Sequence, residues 1–178
     1  MQANPDLGLV PNGRGKDSRY VRRYNQDQLG NPTDLDEFLF GSERVSLAAY
    51  VPILREVQSS RCFYCGREIR PPANHVDHFI LWSIYPVNLG HNFVLADSAC
   101  NSAKSDYLAA QEHLERWSSR NRELGSQLGA EFDRVGVIHN VHASQTIAEW
   151  AYNRAFVVGA QTFRSKGVFE QLPIDWRN

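Results

Sequence analysis

A chain of 178 residues has the length of one ordinary domain, and its 42% hydrophobic and 22% charged content is that of a globular protein, which excludes a disordered, collagenous or coiled-coil chain. The 19 Lys and Arg residues against 20 Asp and Glu leave a net charge of -1, so no global positive field points to nucleic acid, and any such binding has to be local. Apolar runs are short and Met1-Gln2-Ala3-Asn4-Pro5-Asp6 has neither the basic nor the apolar stretch of a signal peptide, so the expectation is a soluble, cytoplasmic protein without membrane contact.

Residues 1–40, rich in Gly, Asn, Pro and Asp, read as a loosely structured N-terminal arm, with residues 41–178 as a single domain. Arg14, Lys16, Arg19, Arg22 and Arg23, opposed only by Asp17, are either a phosphate-contacting patch or a solvated tail. Tyr50, Ile53, Leu54 and Val57 follow helical spacing, with Pro52 suited to a first turn. His75–Ile80 and Asn92–Ala96 are β-prone runs separated by a loop with Pro86, Asn88 and Gly90, which predicts two antiparallel strands with a long connection. Tyr107, Ala110, Leu114, Trp117 and Leu124 then recur at three- and four-residue steps, predicting a long helix that ends near Gly125 or Gly129. A further helix is predicted over Ser144–Val158 with Gly159 as its stop, then a hairpin over Phe163–Leu172 around Lys166-Gly167. Trp82, Tyr85 and Trp117 read as core or loop packing rather than base-stacking platforms, and His113, His139 and His142 match no motif.

Three cysteines are too few for a disulfide scaffold, so their spacing carries the information. Cys62-Phe63-Tyr64-Cys65-Gly66 is a C-x-x-C knuckle whose glycine permits a tight turn. A structural zinc knuckle, a redox pair and two packed thiols compete for it; a redox pair ordinarily opens a helix in a βαβ unit, whereas this one precedes an extended segment with two prolines. Cys100 is the third candidate ligand. Asp97, three residues earlier, repeats the spacing of the first pair and is the candidate fourth, its alternative being a surface carboxylate favoured at a helix start, with His91, His75 or water then completing the site.

Between these halves lie His75-Val76-Asp77-His78-Phe79-Ile80, then His91-Asn92-Phe93, then Cys100-Asn101-Ser102-Ala103-Lys104-Ser105. With the knuckle, this order of C-x-x-C, D-H, N and C-N-x-x-K-S over Cys62–Asp106 resembles the zinc-containing branch of the HNH endonucleases. The resemblance implies an α+β chain with a ββα-metal (HNH, His-Me finger) core at about residues 62–110, a structural zinc knuckle, and additional flanking helices in an extension over about 111–178. It also implies hydrolysis of DNA phosphodiesters, RNA not being excluded, to 5'-phosphate and 3'-hydroxyl ends. His78 matches the general base that activates water, and a neutral imidazole suits that work near neutral pH. Asp77 and Asn101 match the ligands of a catalytic Mg²⁺ or Mn²⁺, and a bend at Asp77-His78 is expected to bring the Asp77 oxygen and the His78 imidazole to one phosphate. Asn92 matches the residue that holds the loop bearing His78; Lys104, one turn beyond Asn101, is a candidate phosphate contact.

The sequence departs from the common pattern at Leu81, where relatives carry Pro, and at Asp97, where they carry Cys or His; the second places an oxygen ligand where a softer one is usual. The alternative to an enzyme is a zinc-stabilised nucleic-acid-binding or docking module without useful turnover. A redox protein using Cys62 and Cys65 is a third reading. Oligomeric state and sequence specificity have no signature in the chain.

Overall fold

The computed structural model describes residues 47–70 and 74–177; the expected arm over 1–40 and its basic cluster lie outside the described residues. A short 3-10 turn, Leu47–Tyr50, runs directly into helix α1, Val51–Val57, with Pro52 in the first turn where a missing N–H costs nothing. Tyr50, Ile53 and Leu54 point into the core, so the helical spacing read from the sequence is the one that packs.

Strand β1, Asn74–His78, pairs antiparallel with β2, Phe93–Asp97, in a register that sets Asn74 opposite Asp97 and His78 opposite Phe93. Helix α2, Ser98–Lys104, follows β2 without a linker, capped by Asp97. The order is therefore strand, strand, helix. Over the described residues the chain is α+β with two small sheets. Phe93, Val94, Leu95 and Ala96 are all fully buried, which makes β2 the spine against which the other pieces are placed.

Helix α3, Gln111–Arg134, is longer than predicted and starts later. Residues Leu108 and Ala110 pair instead with Phe163, and this extended stretch holds Tyr107 outside the helix. Neither Gly125 nor Gly129 stops α3, because Leu128 and Phe132 carry its buried face past both. The glycines serve close approach: a Cβ on Gly125 would stand 3.2 Å from Val141 and one on Gly129 3.1 Å from His139. Helix α4, Val141–Val157, begins three residues before the predicted start because Asn140 caps it, its side-chain oxygen accepting the Ala143 N–H at 2.9 Å. It ends before Gly159, whose φ of +62° suits a residue without a Cβ. The predicted hairpin forms from β3, Gln161–Ser165, and β4, Val168–Gln171. Phe79 stacks on Trp117 at 4.8 Å between these layers, with Tyr152 next in the stack. No described helix is long and apolar enough to cross a membrane.

Candidate metal centre and the loop that holds His78

The knuckle is closed by backbone geometry. Gly66, at φ +69°, lets its N–H reach the Cys62 carbonyl at 2.9 Å, while the Cys62 N–H reaches Arg67 O at 2.8 Å. A bond from Phe63 N–H to Leu95 O at 2.9 Å then pins this turn to β2. The opposite half comes from the β2–α2 junction. Asp97 Oδ1 accepts the Cys100 N–H at 2.8 Å as the helix cap, leaving Oδ2 to accept the Cys65 thiol at 3.1 Å. The Cys62 sulfur lies 3.4 Å from the Asp97 N–H. One ligand atom from each of Cys62, Cys65, Asp97 and Cys100 falls within 4.8 Å of all the others. Tetrahedral zinc with Zn–S bonds of about 2.3 Å needs sulfurs roughly 3.8 Å apart, so the donor set fits such an ion with small adjustment.

Electrostatics suit a cation here. Burial pushes the Cys62 and Cys100 thiols up, so without a cation they stay protonated. Burial also acts to raise Asp97, but the Cys100 N–H and the surrounding thiols outweigh it and hold the carboxyl well below the usual range. Asp97 thus caps and faces the sulfurs at once. His75 lies exposed on β1, outside this group of four. His91 is buried elsewhere, its Nε2 on Gly125 O at 2.9 Å and its ring against Phe132 and His139, so neither histidine joins the cluster.

His78 lies at the other end of the hairpin, roughly 13 Å along the strand at ~3.3 Å per residue from the Asn74–Asp97 pair. Its Nε2 meets Asn88 Oδ1 at 3.0 Å, a contact that the Nε2–H tautomer satisfies; in that tautomer Nδ1 is the acceptor. The ring packs at 4.7 Å from Phe93 and 5.2 Å from Trp82. Burial lowers its pKa, the Asn88 bond and the Asp77 charge opposing only in part, so the imidazole is neutral at pH 7. Asn92 is fully buried and uses both ends of its amide on Ile80, accepting the N–H at 2.8 Å and donating to the carbonyl at 2.9 Å. With Phe79 N–H on Asn92 O at 2.8 Å, this clamps the chain directly after His78.

No protein-family model matches this chain, and no curated protein does. The functional reading therefore rests on residues.

Asp77 and His78 do not converge. The ladder stays regular through both, Asp77 opposite Val94 and His78 opposite Phe93, so no bend turns them to one side. Asp77 Oδ2 accepts the Tyr64 hydroxyl and stands 3.2 Å from Lys104 Nζ. Lys104 is only 1% exposed and also donates to His78 O at 3.1 Å. Burial pulls its pKa down, Asp77 opposing, and the lysine acts as a brace between α2 and β1. A phosphate contact requires the ammonium at the surface, so this expectation is corrected. The same pair bears on the divalent ion: the one anionic ligand expected for Mg²⁺ or Mn²⁺ already holds an ammonium, and a hard dication does not fit Asp77 so engaged. Asn101, on α2, is half-buried.

The residues that complete this arrangement without a sequence signal are Asn88, Tyr64, Gln58 and Arg120. Gln58 pairs its amide with both backbone groups of Leu95 at 2.8 Å, as Asn92 does with Ile80. Arg120, buried and pulled down by burial to about 10, donates to the carbonyls of His91 at 2.7 Å and Phe93 at 2.8 Å, which flank Asn92. Nothing in spacing or periodicity distinguishes these from ordinary loop and helix residues. Tyr85 and Trp117 are buried as expected, while Trp82, 50% exposed, packs in the loop after β1 against the His78 ring rather than in the core.

Proposed function

We propose that this chain is a hydrolytic endonuclease acting on DNA from a strand–strand–helix core, with Cys62, Cys65, Asp97 and Cys100 holding a structural zinc and His78 as the general base. The observation that carries the reading is His78 itself: an imidazole whose pKa burial lowers, with Nε2 against Asn88 Oδ1 and the following turn locked by Asn92. In this reading Nδ1 takes a proton from water, the resulting hydroxide attacks phosphorus, and the P–O3' bond opposite breaks. The departing 3' oxygen leaves as a hydroxyl after protonation from solvent. Zinc supplies folding energy and no chemistry, holding the knuckle to the β2–α2 junction. No step is assigned to a divalent ion at Asp77 and Asn101, because the Lys104 ammonium is already on that carboxylate.

The closed Asp77–Lys104 pair is also the observation that favours a second reading, a zinc-stabilised nucleic-acid-binding module without turnover. Incubation of supercoiled plasmid with the parent protein and with His78→Ala, each with Mg²⁺, Mn²⁺ or EDTA, separates the two. Relaxation by the parent alone supports the nuclease; DNA binding without relaxation by either supports the module.

A further inference from the structure

The half-exposed Trp82 indole stands against the imidazole of His78, ring centres 5.2 Å apart and inclined at 65°. Its neighbours are anchored. Leu81 and Tyr85 are buried, the Ile84 and Tyr85 N–H groups both close onto Leu81 O at 3.0 Å, and Asn92 clamps Ile80 on the other side. The exposure therefore belongs to a turn whose backbone is braced, with the indole resting on the His78 ring. Large apolar side chains in isolation need no explanation at a surface; this one adjoins the candidate general base.

We propose that Trp82 is the substrate-stacking residue of this site, receiving the base of a nucleotide that flanks the scissile phosphate. The inference deepens the nucleic-acid reading above and rests on it. A phosphate within reach of His78 brings a flanking base within a few ångströms, since a strand rises only about 3.4 Å per nucleotide. Stacking also suits a protein of this charge. The chain carries a net -1 and Lys104 is turned inward, so a contact drawn from a π-face gives the strand a hold that this ammonium does not supply.

The test compares zinc-loaded parent, Trp82→Ala and Trp82→Phe, each also carrying His78→Ala for binding measurements without turnover. The probes are a short duplex and a single strand, intact or with one abasic nucleotide placed in turn on either side of the cleavage position. Trp82→Ala should unfold at the parent temperature yet bind roughly five- to a hundredfold more weakly, the range of base–aromatic stacking. Trp82→Phe should recover most of that loss. An abasic nucleotide at the stacked position should weaken the Trp82 protein and leave Trp82→Ala unaffected; in the cleaving proteins the loss should appear in KM more than in kcat. Equal binding by all three, or equal abasic penalties, overturns the proposal. So does self-association of the parent that Trp82→Ala abolishes with DNA affinity unchanged, which would give the indole to a second copy of the chain. Binding that depends on Trp82 without cleavage by the parent upholds the stacking role and rejects the nuclease; neither binding nor cleavage rejects both.

Discussion

At the scale of single residues, the two neighbours Asp77 and His78 play different parts although the sequence sets them side by side. Asp77 is a structural partner: Lys104 is 1% exposed and Asp77 only 13%, so removing the carboxylate leaves an ammonium buried without a counter-charge. Asp77→Ala should accordingly lower unfolding free energy by about 3–5 kcal/mol, and adding Lys104→Met should recover much of it in denaturant titrations. A single variant as stable as the parent would show the pair to be dispensable. His78 should behave oppositely. His78→Ala should keep fold and metal content while cleavage falls by roughly 10²- to 10⁴-fold, the usual cost of a lost general base. Because burial lowers the His78 pKa below its ordinary 6.5, the base is unprotonated at neutral pH and is lost only as pH falls past that lowered value. The rate should be flat near pH 7 and show its acidic limb below 6.5; a limb centred above 7 would assign the proton transfer to another group.

At the scale of elements, the β2–α2 junction does two things with one carboxylate, and a substitution can separate them. Asp97→Asn keeps a capping oxygen for the Cys100 N–H but removes the anionic ligand, whereas Asp97→Ala removes both. Both variants should lose zinc more readily than the parent, with Asp97→Ala less stable than Asp97→Asn by about 1 kcal/mol, as read by metal analysis and by unfolding. Zinc retention equal to the parent in both would transfer the fourth ligand elsewhere. The turn before β2 is constrained from the side of α3. A Cβ on Gly90 would stand 2.6–2.9 Å from the Phe132 ring, and the next two residues are His91 and Asn92. Gly90→Ala should thus destabilise by about 1–3 kcal/mol through overpacking and disturb the clamp on Ile80, so its cleavage should fall even where folding is complete.

Across the whole molecule, buried histidines tie stability to pH. His91 and His113 join His78 in having pKa values lowered first by burial, so the folded chain holds all three neutral while the unfolded chain takes up protons near 6.5. Protons bind the unfolded state more, which means stability is lost as pH drops below about 6.5 towards the lowered values. Thermal unfolding should move to lower temperature between pH 7 and pH 5, and a midpoint constant over that interval would contradict the burial seen here. Zinc removal should act in the same direction, since a site with no counterpart in the unfolded chain contributes its binding energy to folding.

Local features were legible in the sequence wherever a short-range rule decides the outcome. The C-x-x-C-G turn, the spacing of Asp97 and Cys100 across one helical turn, the β-prone runs and the Gly159 stop all depend on residues within a few positions of each other. The helix after Cys100 was legible in kind but not in extent, because glycine weakens an isolated helix while the packing of Leu128 and Phe132 carries this one onward. Tertiary structure alone decided the rest. Whether the Lys104 ammonium meets solvent or Asp77, whether Trp82 is covered, and which oxygen anchors His78 depend on chain segments far apart in sequence. Burial, and with it the charge state of each group, is set by those distant neighbours, and a one-dimensional pattern records which residues are present without recording what surrounds them.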